Sequence, residues 1–215
     1  MKKIILAVTG SSGAPIGLRL LEALLEREDV EVSFVMSDAA RITCKLEAGV
    51  DFGKTHAALE AALAENFGPA DRLKVYDASD MAARISSGSH KTDAMIVAPC
   101  SMSTLGSIAH GITQNLIHRA ASVMLKEKRP LLLVPRESPL SPIHLESMLT
   151  LSRIGVHIVP ATLAFYTRPE KISDLVDFTC ARVLDLLNIG HNLSKRWQGN
   201  AQNHDVHTRI QGYLG

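Results

Sequence analysis

The chain has 215 residues, enough to bury the core of one α/β domain, and nothing in it forces a second. Its 23 Lys and Arg against 22 Asp and Glu leave a formal charge of +1 at pH 7, which gives no electrostatic footprint for nucleic acid or an anionic membrane. Cys44, Cys100 and Cys180 are far apart and lack a C-x-x-C pair, and the nine histidines lack H-x-x-x-H or H-E-x-x-H spacing, so neither a disulfide framework nor a metal site is indicated.

Residues 4–8, IILAV, are short, apolar and rich in β-branched side chains, the pattern of a buried parallel strand. The run is too short to span a bilayer and carries no cleavage-site pattern, so a cytoplasmic protein is expected. Gly10, Ser11, Ser12 and Gly13 then make a turn. Ile16, Leu20, Ala23 and Leu24 follow at helical spacing, with Pro15 in the first turn, where its missing N–H costs nothing. A strand, tight turn and helix aim free backbone N–H groups and a helix dipole at one point, which suits a phosphate. Gly10, Gly13 and Gly17 match neither G-x-G-x-x-G nor a Walker loop, and plain turn chemistry with helix capping stays open beside the phosphate reading.

Further strand patterns fall at 32–36, 73–76, 94–98, 131–134 and 156–159, with helical patterns between most of them. The alternation predicts a single doubly wound, mostly parallel α/β sheet with helices on both faces, of the Rossmann-like flavoprotein type, in which ligands lie beyond the carboxyl ends of the strands. Those ends carry Gly10, Ser11 and Ser12; Ser37; Ser101, Met102, Ser103 and Thr104, with a helix start near Ser103; and Arg136 with Glu137. Hydroxyl-rich turns, a helix start and an arginine suit a mononucleotide phosphate, with flavin mononucleotide (FMN) a natural guest. Residues 48–71 read as an Ala-rich helical stretch, a lid or insertion, and residues 198–215 as a polar tail in which His204 and His207 are solvated.

Arg119 and Lys126 stand two helical turns apart and so share a face, which on spacing alone, with Glu127, Lys128 and Arg129 close by, reads first as a solvated face. Glu137, next to Arg136 at a strand end, suits proton exchange with a departing group; a local ion pair is the plainer alternative. Tyr166 and Arg182 are suited together to a second phosphate, while each taken separately reads as an ordinary amphipathic residue, and ISSGSHKTD supplies another hydroxyl-rich turn around Ser89. Cys100 has no activating partner in the sequence and reads as a packed or ligand-lining thiol.

Taken together, VTGSSGAPIGLRLL, ISSGSHKTDAMIVAPCSMSTL, NLIHRAASVMLKEKRPLLLVPRESPLSPIHLESML and AFYTRP closely resemble the UbiX-type flavin prenyltransferases over about residues 3–197. The resemblance implies a metal-independent transferase that joins a dimethylallyl group from dimethylallyl phosphate to N5 and C6 of reduced FMN, yielding prenylated FMN for a client UbiD-type decarboxylase. It implies a domain over 1–197 and a homododecamer with sites at subunit junctions. Carried over by position, it assigns FMN to Gly10, Ser11, Ser12, Ser37, Ser101, Met102, Ser103, Thr104 and Arg136. The prenyl phosphate falls to Ser89, Arg119, Lys126, Tyr166, Arg182 and Trp197, and catalysis to Ser12, Glu47, Arg119, Lys126 and Glu137. Alternatives are a non-catalytic FMN carrier or accessory subunit of a decarboxylase and, ranked below it, a flavin-dependent cysteine decarboxylase. The latter's P-x-M-N-x-x-M-W motif has no counterpart here.

Overall fold

A computed structural model describes residues 1–194; Trp197, the 197/198 domain boundary and the polar tail lie outside the described residues. Six strands, β1 (Lys2–Val8), β2 (Val30–Met36), β3 (Leu73–Asp77), β4 (Ala94–Cys100), β5 (Leu131–Pro135) and β6 (His157–Ile158), form one sheet in the order β3-β2-β1-β4-β5-β6. Every pairing is parallel. The strand at 156–159 is reduced to its two central residues, although the Val159 N–H still donates to the Leu133 carbonyl at 2.8 Å.

Side-chain alternation along β1 builds both halves of the core. Ile4, Leu6 and Val8 point to a face covered by α1 (Ala14–Leu25), α2 (Asp38–Ala48), α3 (His56–Phe67) and α7 (Ile172–Leu186). Ile5 and Ala7 point to the other, covered by α4 (Met102–Ala109), α5 (Leu116–Lys126) and α6 (Pro142–Arg153). On α5, Leu116, Ile117, Ala120, Ala121 and Met124 bury one stripe at helical spacing, which is what commits its opposite face to cations.

The stretch 48–71 is not a lid. α2 ends at Gly49, whose φ of +70° caps it, and α3 lays Leu59 and Leu63 into the core beside the fully buried Phe52. Arg41 ties the connecting loop down by donating from Nη1 to the Phe52, Gly53 and Thr55 carbonyls. Among the described residues, no helix is long and apolar enough to cross a membrane.

Candidate functional site

The strand order reverses between β1 and β4, so the crevice beyond their carboxyl ends is the topological switch point of the sheet. The first wall is the turn at 10–13. Gly13 takes a φ of +112° as N-cap of α1, and Gly17 lets α1 approach β4 so closely that a Cβ there would strike the Ala98 carbonyl oxygen. The Ser11 hydroxyl is buried in this turn with no hydrogen-bond partner, an atom left for a ligand to satisfy.

The anion on the amino end of α1 is not left to a phosphate. Oε2 of Glu47, from the last turn of α2, accepts the Gly13 N–H at 2.8 Å and the Ala14 N–H at 2.9 Å. Burial alone would raise the Glu47 carboxyl; hydrogen bonds from Ser12, Gly13 and Ala14 and the charge of Arg136 outweigh it and hold the group below its ordinary range. Arg136 leans into the same corner, Nε lying 3.4 Å from the Ser12 carbonyl oxygen. Ser12, Glu47 and Arg136, from three elements, therefore form one cluster.

The second wall is α4. Its N-cap is Ser101, whose hydroxyl accepts the Thr104 N–H at 3.2 Å, so the helix begins at Met102, one residue earlier than the sequence suggested. The Ser101 hydroxyl also meets those of Ser103 at 3.1 Å and Thr104 at 3.0 Å. The first N–H groups of α4 face the same end of the sheet, an anion-binding arrangement that no carboxylate of the chain occupies among the described residues. Ser37 caps α2 by accepting the Ala40 N–H at 3.2 Å, and its own N–H donates to the Val8 carbonyl, seating it beside β1. Gly10 belongs to the same seam, where a Cβ would collide with that of Ala39. Thr9, buried and absent from the sequence reading because threonine is an ordinary strand residue, bridges β1 to the Ser101 turn.

Glu137 is exposed after β5 and accepts the Ser138 N–H at 3.0 Å, and no ion pair between it and Arg136 is seen among the described residues. Cys100 is fully buried and its thiol is pushed up by burial, which makes it a packing residue.

A separate cluster surrounds the turn at 86–89. Arg119 donates from Nε to the Ser86 carbonyl at 3.0 Å, Arg129 from Nη2 to the Gly88 carbonyl at 2.7 Å, and the Ser87 and Ser89 hydroxyls lie 2.9 Å apart. Lys126 sits against Gly88 and pairs with Glu127 at 2.6 Å. Lys126 and the turn around Ser89 are not in the crevice. α5 starts at the carboxyl end of β3, where the Leu116 N–H donates to the Ala78 carbonyl. It then runs to the opposite edge, where the Thr92 hydroxyl meets the Met124 sulfur just before β4 begins. Lys126 lies about 10 Å further along the helix axis than Arg119, and the turn around Ser89 lies with it at the amino edge of the sheet.

Tyr166 lies in a short 3-10 helix, its ring 5.8 Å from that of Phe178 in an edge-on contact. Arg182, four residues further along α7, is exposed and pairs with Asp185 at 3.2 Å. The two are thus held near one stretch of α7. Among the described residues no group of three or more His, Cys, Asp or Glu side chains could hold a metal ion.

The Flavoprotein family model matches residues 1–184. The flavin prenyltransferase UbiX of Pseudomonas aeruginosa is 46% identical over 197 residues, 91% of this chain and 94% of the relative. Among solved structures, a dodecameric FMN-dependent UbiX-like decarboxylase from Escherichia coli O157:H7 is 48% identical with a TM-score of 0.81, covering 93% of this chain and 100% of that one. AnUbiX in complex with FMN and dimethylallyl pyrophosphate is 42% identical with a TM-score of 0.80, covering 92% and 98%.

Proposed function

The chain belongs to the Flavoprotein family and, within it, to the UbiX-type flavin prenyltransferases, and from that premise we propose how its own residues divide the work. It is a transferase that acts on FMN. Bound reduced FMN supplies the electron-rich acceptor atoms, N5 and C6, and dimethylallyl phosphate supplies the prenyl group.

The observation that carries the assignment is the meeting of three strand-end hydroxyl turns at one switch point, with the Ser11 hydroxyl buried and unpartnered among them. In this reading the FMN phosphate rests on the amino end of α4, held by Ser101, Met102, Ser103 and Thr104, with Gly10, Ser11, Ser12 and Ser37 along the seam and Arg136 at the rim. Because Glu47 already occupies the amino end of α1, the phosphate is directed to α4. Glu47 would orient the turn beside the flavin, and Ser12 would assist proton movement there.

Departure of the allylic phosphate breaks a C–O bond and leaves negative charge on oxygen and positive charge on the prenyl carbons. Arg119, Lys126, the turn at Ser89, Tyr166, Arg182 and Trp197 are assigned to that phosphate, and Glu137 to handing it a proton. Within one chain, Lys126 and the Ser89 turn stand at the opposite edge of the sheet from the flavin crevice. One substrate can meet both sets only if a second copy contributes one of them. This supports a homo-oligomer, a dodecamer by likeness to the Escherichia coli relative, with composite sites. Residues 1–197 are then one catalytic domain and 198–215 a tail, the setting is the cytoplasm, and the prenylated flavin passes to a client UbiD-type decarboxylase. A flavin carrier would not require this second set of cations.

The test is anaerobic incubation of the purified protein with reduced FMN and dimethylallyl phosphate, followed by mass spectrometry of the extracted flavin. The expected product is heavier by one prenyl unit. Unmodified flavin from protein that demonstrably binds FMN would overturn the assignment of the donor.

A further inference from the structure

The β1–β4 ladder ends at the Ala7–Val97 pair. Thr9 carries the contact between the two segments beyond it. Its hydroxyl donates to the Pro99 carbonyl at 2.8 Å and accepts the Ser101 N–H at 2.7 Å, while its own N–H donates to the Pro99 carbonyl at 3.2 Å. The side chain is buried, with 2% of the residue exposed, so water does not replace either partner.

Strand formation does not account for a threonine here. Valine has the same shape, an equal preference for strands and no polar atom to bury, and apolar residues fill β1 from Ile4 to Val8. What the hydroxyl adds is a fixed position for Ser101, the residue whose side chain caps α4 and touches both Ser103 and Thr104. The position of the Ser101 N–H sets where the cap oxygen sits, and the cap sets the direction of the first free N–H groups of α4.

We infer that Thr9 is a positioning residue for the anion-binding turn at 101–104, holding the amino end of α4 in register with the turn at 10–12 so that α4 meets the phosphate of the same FMN whose flavin lies beside that turn. The inference rests on the reading above that this turn takes the FMN phosphate. Thr9 acts through Ser101 and need not touch FMN itself.

The experiment is FMN titration by flavin fluorescence on the full chain, for the wild type, Thr9→Val, Thr9→Ser and Ser101→Ala, each well below its own melting midpoint. Thr9→Val leaves the Ser101 N–H without its partner, while the Pro99 carbonyl keeps the backbone N–H of residue 9, and is expected to raise the FMN dissociation constant about tenfold. Thr9→Ser keeps the hydroxyl and is expected to bind within about twofold of wild type, a rescue that loss of packing alone would not give. Wild-type affinity in Thr9→Val, with Ser101→Ala weakened, overturns the inference but leaves the phosphate turn standing. Wild-type affinity in Ser101→Ala overturns the phosphate turn and the inference with it. Should Thr9→Val fail to fold, Thr9→Ser decides: weakening there as large as that of Ser101→Ala overturns the inference.

Discussion

Glu47 shows how much a single carboxylate can redirect. An amino-terminal helix end beside a Gly-Ser turn invites a phosphate, yet this one is already occupied from within the chain by Oε2 accepting two backbone N–H groups. No local pattern announces this, because Glu47 reaches the turn from the far end of α2, more than thirty residues on. The carboxyl is held below its ordinary range, so as pH falls the unfolded chain takes up its proton first. The stability contributed by the charge is therefore full above the ordinary glutamate value of about 4.3 and is lost as pH falls through the lower, folded value. Glu47→Gln is expected to lower stability at pH 7 by about 1 kcal/mol, the scale of a lost helix cap reduced by solvent screening. That difference, followed by thermal melting from pH 7 downward, should close toward acid pH. A gap that is constant with pH would mean that the charge does not matter.

At the scale of elements, the seat of α1 against β4 is a tight joint beside the crevice. Gly17 faces the Ala98 backbone, which cannot yield as a flexible side chain would. Gly17→Ala is therefore expected to destabilise the protein by about 1–3 kcal/mol, the range of an overpacked core, despite alanine's higher helix propensity. Chemical denaturation compares the two proteins directly, and equal midpoints would show that α1 can retreat without cost. The strands and most helices were legible because burial on both faces writes continuous apolar runs, and amphipathic helices write a 3.6-residue period. The stretch 48–71 was legible as helical but left open between a lid and an insertion, because its alanines pack almost as readily as they solvate. Leu59 and Leu63 decide the matter only once the core they enter is known.

At the scale of the whole molecule, the separation of the two clusters has a direct test. Ser12→Ala damages the crevice and Lys126→Ala the cation cluster, and each alone is expected to lose prenyl transfer. Co-expressed and purified as mixed oligomers, the two variants should recover roughly a quarter of wild-type activity if copies assort at random, since each intact site then joins residues from two chains. No recovery would return both clusters to a single chain. Exposed apolar side chains, Ile143 at 70%, Phe165 at 64% and Ile172 at 79%, are consistent with copies covering one another. The sequence by itself determined the fold class, the crevice-forming turns and the family, because strand periodicity, glycine and hydroxyl placement at strand ends, and motif spacing are local properties of the chain. Only the tertiary structure decided that Glu47 occupies the amino end of α1, that Thr9 ties β1 to Ser101, and that Arg119 and Lys126 lie along a helix leading away from the crevice. Those are contacts between distant segments, fixed by how helices pack across a twisted sheet and written in no short stretch of sequence.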